Sequence, residues 1–174
     1  MAEVIAYFNY LEGGICQKIN RLSHREWIRL FFSVISKLGD GGIWAAAGIA
    51  VLAIQGTAGL PGILQMIGTG IVGVLIYKVL KSRLIRERPY INHGNILCGT
   101  APLDQYSFPS GHTLHAVSFT VMLSHFEPAL LMFAIPFTLL VAASRVILGL
   151  HYPSDVVVGA VIGASLAGTS LALI

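Results

Sequence analysis

The chain has 174 residues, enough for one domain and too few for two of ordinary size. Hydrophobic residues make up 55% of it, charged residues only 11%, and the mean hydropathy is +0.77; a soluble domain needs about a quarter charged residues to cover its surface, so an integral membrane protein is expected. The net charge of +3 and pI near 9.0 do not point to nucleic acid, because the cations gather near the ends of apolar segments rather than on one basic face; anionic lipid head groups are the expected partners.

The first residues, MAEVIAYFNYLEGG, lack a basic start followed by an apolar core, so no cleavable signal is expected and membrane entry falls to later segments. Residues 1–41 mix short apolar groups with Lys18, Arg21, Arg25, Arg29 and Lys37, and no window reaches the roughly 18 apolar residues of a spanning helix. They read as amphipathic helices lying in the membrane interface. Ile28, Phe31, Phe32 and Ile35 recur at helical spacing with Trp27 at the edge, which suits a helix floating its aromatic side among head groups. A helix packed on its own protein is a compatible reading.

From Gly42 the character changes, and five apolar segments follow, at about 42–57, 62–80, 112–126, 129–148 and 155–174. The expected fold is all-α, a polytopic bundle of about five transmembrane helices in one domain, with residues 42–174 as its catalytic part. Several segments are near the lower length limit, so the bundle is expected to be thin or compact. Glycines at 68, 70, 73, 159, 163 and 168 allow helices to approach closely. The Gly159-x3-Gly163 spacing points to tight packing within the chain and leaves a homodimer open. Cys16 and Cys98 form no metal-type pair.

The turns at 57–61 and 126–128 are short and carry no Lys or Arg, whereas residues 81–111 form a long polar loop of the kind that is commonly functional. With five spans, that loop, the N-terminal region and the 149–154 turn share one membrane face. Three clusters, at 81–89, 109–112 and 144–155, therefore arrive together. They supply Lys81, Arg88, Arg145, Ser110, His112, His151 and Asp155. Lysine offers a point charge and arginine a forked donor that matches phosphate oxygens. Ser110 and Gly111 precede a helix start, where free N–H groups favour anions. His151 precedes Asp155 by four residues, close enough for a ring hydrogen bond if the segment turns helically; the other nitrogen is then free to attack phosphorus, with His112 as acid.

In order along the chain, Lys81-x6-Arg88-Pro89, Pro109-Ser110-Gly111-His112 and Ser144-Arg145-x5-His151-x3-Asp155 resemble the motifs of the type 2 phosphatidic acid phosphatase (PAP2) superfamily. The resemblance spans about 42–174. It implies that His151 is the nucleophile forming a phosphohistidine, Asp155 its orienting partner, and His112 the acid for the leaving group. Lys81, Arg88, Ser110, Gly111 and Arg145 would hold the phosphoryl oxygens. It also implies catalysis without a metal or other cofactor, which suits a cationic pocket that repels metal ions. Membrane members commonly have six spans, and this chain is expected to lack the first.

The expected function is an integral membrane lipid phosphatase acting on phosphatidic acid, phosphatidylglycerol phosphate or a polyprenyl diphosphate. Phosphotransfer to a lipid hydroxyl and capture of lipid phosphates without turnover are the alternatives. Arg83 and Arg86 read as solvated or head-group contacts, His24, His93 and His125 as surface residues, and His115 as packing. A head-group contact from Asp104, Gln105 or Tyr106 stands level with a loop-filler role. A bacterial or archaeal cell membrane is expected. Related enzymes often place the site outside, but the cations bias it toward the cytoplasm.

Overall fold

The computed structural model describes residues 2–173, and every regular element among them is helical. The helices are α1 (Ala2–Asn20), α2 (Glu26–Leu38), α3 (Gly42–Gln55), α4 (Leu60–Arg83), the single turn α5 (Pro89–Asn92), α6 (Gly111–Phe126), α7 (Leu131–Ile147) and α8 (Pro153–Leu171). The five apolar segments thus become α3, α4, α6, α7 and α8. Among the described residues, three stretches are long and apolar enough to cross a membrane: Gly42–Arg83, which holds both α3 and α4, Pro128–Ile147 and Pro153–Ala172.

Local chemistry sets the helix limits. Pro61 opens α4 with the fixed backbone angle a first turn favours, and Lys81 and Arg83 close it against the negative end of its dipole. Ser110 caps α6, accepting from the backbone N–H of Thr113 at 3.4 Å. Pro153 opens α8, and Asp155 sits in its first turn.

Helix α6 is the centre of the bundle, with α4, α7 and α8 around it. Its contact with α8 is the closest, and glycine makes it possible. A Cβ on Gly159 would lie 2.6 Å from the carbonyl oxygen of Ser110, and one on Gly163 would overlap that of Leu114. The GxxxG face is therefore occupied inside the chain by α6. Trp44, Met66, Ala116, Met122, Leu123 and Val141 fill the apolar core. The outer faces of α3, α4, α7 and α8 expose Ile49, Leu64, Leu75, Phe133, Leu139 and Val161, among others. So much bare apolar surface on helices with satisfied backbones fits a lipid solvent and not water.

The N-terminal helices pack on their own protein, and α2 leaves one apolar face bare. Helix α2 turns Ile28 and Ser36 inward and packs on α7, while Trp27, Leu30, Phe31 and Val34 stay exposed. A second, smaller core of Cys16, Ile96, Val146 and Tyr152 ties α1 to the long loop and to the start of α8. Asn20 secures the same junction: its amide donates to the carbonyls of Leu97 and Ile147, and its oxygen accepts from the Leu97 N–H. Gly149 has φ +73°, and a Cβ there would strike the Leu97 carbonyl at 2.7 Å, so the turn after α7 requires glycine.

Candidate active site

The ends of α4, α6 and α7, the loop 84–110 and the turn 148–152 meet around one cavity of about 380 Å³. Lys81, Arg88, Gly111, His112, Arg145 and His151 all line it, so five of the motif side chains and one motif backbone converge. Each cation is buried: Lys81 is 7% exposed, Arg145 2% and Arg88 1%. Their charge is answered unequally. Asp104 accepts from Lys81 Nζ through both carboxylate oxygens, at 2.7 and 2.8 Å, and from Arg88 Nη2 at 2.7 Å. Arg145 donates to the Ser36 hydroxyl, its Nε lacks a partner, and no carboxylate pairs with it among the described residues. A buried guanidinium in that state is costly unless an anion joins it.

His151 is 1% exposed, and its Nε2 lies 3.3 Å from Arg88 Nη1. Burial, and then the charges of Arg88, Arg145 and Lys81, hold its proton affinity well below the usual histidine range. This favours the neutral ring, the form a nucleophile needs. The expected hydrogen bond to Asp155 is not made. Nδ1 stands 3.6 Å from Oδ2 of Asp155 and has no hydrogen-bond partner. The reason is that α8 begins only at Pro153, leaving His151 in the preceding turn, while Asp155 is committed elsewhere. Its Oδ2 accepts from the Tyr152 N–H at 2.9 Å and its Oδ1 from Arg86 Nη1 at 2.6 Å. The neutral ring of His151 and the Asp155 carboxylate stand side by side without a hydrogen bond.

Arg86 corrects the expectation of a solvated cation. It is 5% exposed and binds Asp155, Ser154, Glu12 and Asn9, with its guanidinium 4.0 Å above the ring of Tyr152. A readable signal existed. Residues 85–88 lie outside any helix between α4 and α5, Arg86 and Arg88 are buried, and Ile85 and Glu87 are exposed, an alternation of period two that puts both arginines on one side. Arg83 is exposed, as expected.

Ser110 departs from its expected role as well. Its hydroxyl is fully buried and engaged with Thr113 at the cap of α6, so it does not reach the cavity; Gly111 does. The contribution of this motif to an anion is the open end of α6. His115 lines the cavity and bridges α6 to α4, with Nδ1 2.8 Å from the Gly111 carbonyl and Nε2 3.1 Å from that of Gly70. His24 and His125 are exposed, but His93 is half-buried with its ring edge-on to Tyr152. Ser144 donates to the Val141 carbonyl within α7. Asp40, which no motif includes, pairs with His112.

The arrangement can hold a tetrahedral anion with buried cations and place a neutral imidazole nitrogen beside it, with a second imidazole across the cavity. Comparison with known proteins points the same way. A model of the PAP2 superfamily matches residues 62–174. Decaprenylphosphoryl-5-phosphoribose phosphatase of Mycobacterium tuberculosis is 32% identical over 124 residues, covering 68% of this chain and 67% of that one. The crystal structure of Aquifex aeolicus LpxE superposes with a TM-score of 0.79 at 28% identity, covering 93% of this chain and 95% of that one. A transmembrane PAP2-type phosphatidylglycerolphosphate phosphatase from Bacillus subtilis shares the fold with a TM-score of 0.67 at 22% identity, over 98% and 94% of the two chains.

Proposed function

The chain belongs to the PAP2 superfamily, and on that premise we propose that it is an integral membrane phosphatase that removes a phosphoryl group from a lipid phosphate or diphosphate. The observation that carries this reading is Arg145, buried and without a carboxylate partner, facing the same cavity as His151. Such a charge calls for an anionic ligand, and the neighbouring nucleophile gives that ligand a fate.

In the proposed reaction Nε2 of His151 attacks phosphorus while Lys81, Arg88, Arg145 and the N–H groups opening α6 receive the charge on the phosphoryl oxygens. The lipid oxygen leaves with a proton from His112. Water then attacks the phosphohistidine, giving its proton back to His112 and releasing inorganic phosphate. Asp155 steadies the positive ring of His151 across the 3.6 Å gap. The cationic pocket performs the charge stabilisation that a metal ion supplies to other phosphoryl-transfer enzymes.

The apolar side of the cavity supports a lipid substrate. Ile67, Ile71, Val74 and Phe119 line it, and Ile67 and Ile71 are also more than half exposed on the outer face of α4. The cavity thus opens sideways toward the bilayer. Lys81 and Ile67 lie 14 residues apart on one helix, about 21 Å at 1.5 Å per residue, which lets a tail lie along α4 with its phosphate at the cationic end. Phosphatidic acid, phosphatidylglycerol phosphate and polyprenyl phosphates or diphosphates are the substrates to compare, the last because the 32%-identical relative is named for a polyprenyl phosphoryl sugar. In this reading α3, α4, α6, α7 and α8 all span, and the site faces the cytoplasm because Lys18, Arg21, Arg25, Lys37 and Arg83 stay exposed at its end of the bundle.

Phosphate release from this lipid panel in detergent tests the proposal. At least one member is hydrolysed by the native chain, and His151→Ala lowers that turnover by at least about 10³-fold, the loss expected of a nucleophile. A folded protein inactive on all of them overturns the reading.

A further inference from the structure

Asp40 lies outside every motif, in a glycine-flanked turn between α2 and α3, and its carboxylate pairs with Nε2 of His112. Both residues line the cavity; the His112 side chain is 11% exposed and that of Asp40 32%. The turn is well held. Gly41 takes φ +139°, which lets the chain reverse directly after Asp40, and four residues earlier Ser36 binds Arg145. The end of α2 therefore touches two of the groups around the cavity.

The charges around His112 are otherwise unfavourable to a proton donor. Lys81, Arg88 and Arg145 share its cavity, and Asp104, the other carboxylate there, is bonded to Lys81 and Arg88. Asp40 is the carboxylate that answers the ring of His112.

We infer that Asp40 is the positioning residue of the leaving-group acid, accepting from Nε2–H of His112 and favouring the protonated ring whose Nδ1 proton is transferred. The inference rests on the phosphatase reading. In the first step the N–P bond to His151 forms, the P–O bond to the lipid breaks, and the departing oxygen takes the Nδ1 proton. The ring left behind is neutral and keeps Nε2–H on Asp40. In the second step water attacks phosphorus and gives its proton to Nδ1 of His112, the N–P bond breaks, and the starting charges return. Asp40 acts only through His112 and touches no reacting atom.

The dependence on leaving group distinguishes this role from a structural one. An alkyl alkoxide needs the acid's proton, whereas nitrophenolate leaves without much help. With Asp40→Asn, kcat/KM for an alkyl lipid phosphate is expected to fall about 10- to 100-fold, part of the 10²–10⁴-fold that general acid catalysis supplies, while kcat/KM for p-nitrophenyl phosphate falls no more than about threefold. Asp40→Glu, which keeps the carboxylate, restores at least half of the lost alkyl activity on a logarithmic scale. Equal losses on both substrates, or no loss on either, overturn the inference, as does failure of Asp40→Glu to recover activity when its melting temperature matches the native one. A native chain that cleaves neither substrate overturns the phosphatase reading instead.

Discussion

At the scale of single residues, Asp104 defines the resting state of the pocket. Its carboxylate bridges Lys81 and Arg88 with bonds of 2.7–2.8 Å, so two of the three cations meet an internal anion before any substrate arrives. A phosphoryl group that uses them has to displace it. Asp104→Asn keeps the shape and removes the charge; inorganic phosphate is then expected to inhibit about tenfold more strongly, since charge-assisted hydrogen bonds contribute about 1.5–3 kcal/mol. The competitive inhibition constant for phosphate measures this, and an unchanged or weaker constant contradicts it. The motif residues were legible because each carries a chemistry and a spacing. Asp104 was legible only as a head-group contact or loop filler, and Asp40 not at all, because a carboxylate in an irregular loop has no periodicity, and only the fold places it against a particular cation or ring.

At the scale of elements, α1 is a clamp as much as an anchor. Glu12 accepts from Arg86 at 2.7 Å, from the Ser154 N–H at 2.7 Å and from the Ser154 hydroxyl at 2.6 Å, so it neutralises Arg86 and satisfies a free amide at the start of α8. Arg86 in turn holds Asp155. One carboxylate on α1 thus secures the element that carries the partner of His151. Glu12→Ala leaves a buried guanidinium and an amide short of an acceptor, and is expected to cost about 1–3 kcal/mol, or roughly 2–10 °C in the melting temperature for a chain of this size. Thermal unfolding in detergent reads this directly. A change under 1 °C contradicts the clamp. The helices themselves were legible from runs of apolar residues bounded by Pro, Gly and polar caps, and each appears within a few residues of its expected place. The clamp was not, because Glu12 and Ser154 are 142 residues apart and neither belongs to a pattern.

At the scale of the molecule, the bundle is polar at one end and apolar around its girth, and function follows from that asymmetry. The buried cations, His112, His151 and all the exposed Lys and Arg named above gather at the same end, whereas the turns joining α3 to α4 and α6 to α7 carry no cation. A reporter fused after Ile174 tests the proposed orientation: with the site facing the cytoplasm and five spans, the reporter is extracytoplasmic, and a cytoplasmic signal reverses the assignment. Composition alone made the membrane class legible, but it could not say that a central α6 would be enclosed by its neighbours, since that depends on glycines of α8 meeting one backbone. The occupied pocket has a further consequence for an enzyme immersed in phospholipid. The common phospholipids around it each offer a phosphodiester of single charge, at a local concentration far above that of any substrate. Against an empty cationic hole those diesters would bind as decoys. Against a pocket in which Asp104 already holds Lys81 and Arg88, a single charge can answer Arg145 alone, and only a dianionic monoester or diphosphate brings enough to displace the carboxylate as well. On the proposed reaction the carboxylate would serve as an admission threshold, keeping the solvent of the enzyme from becoming its inhibitor.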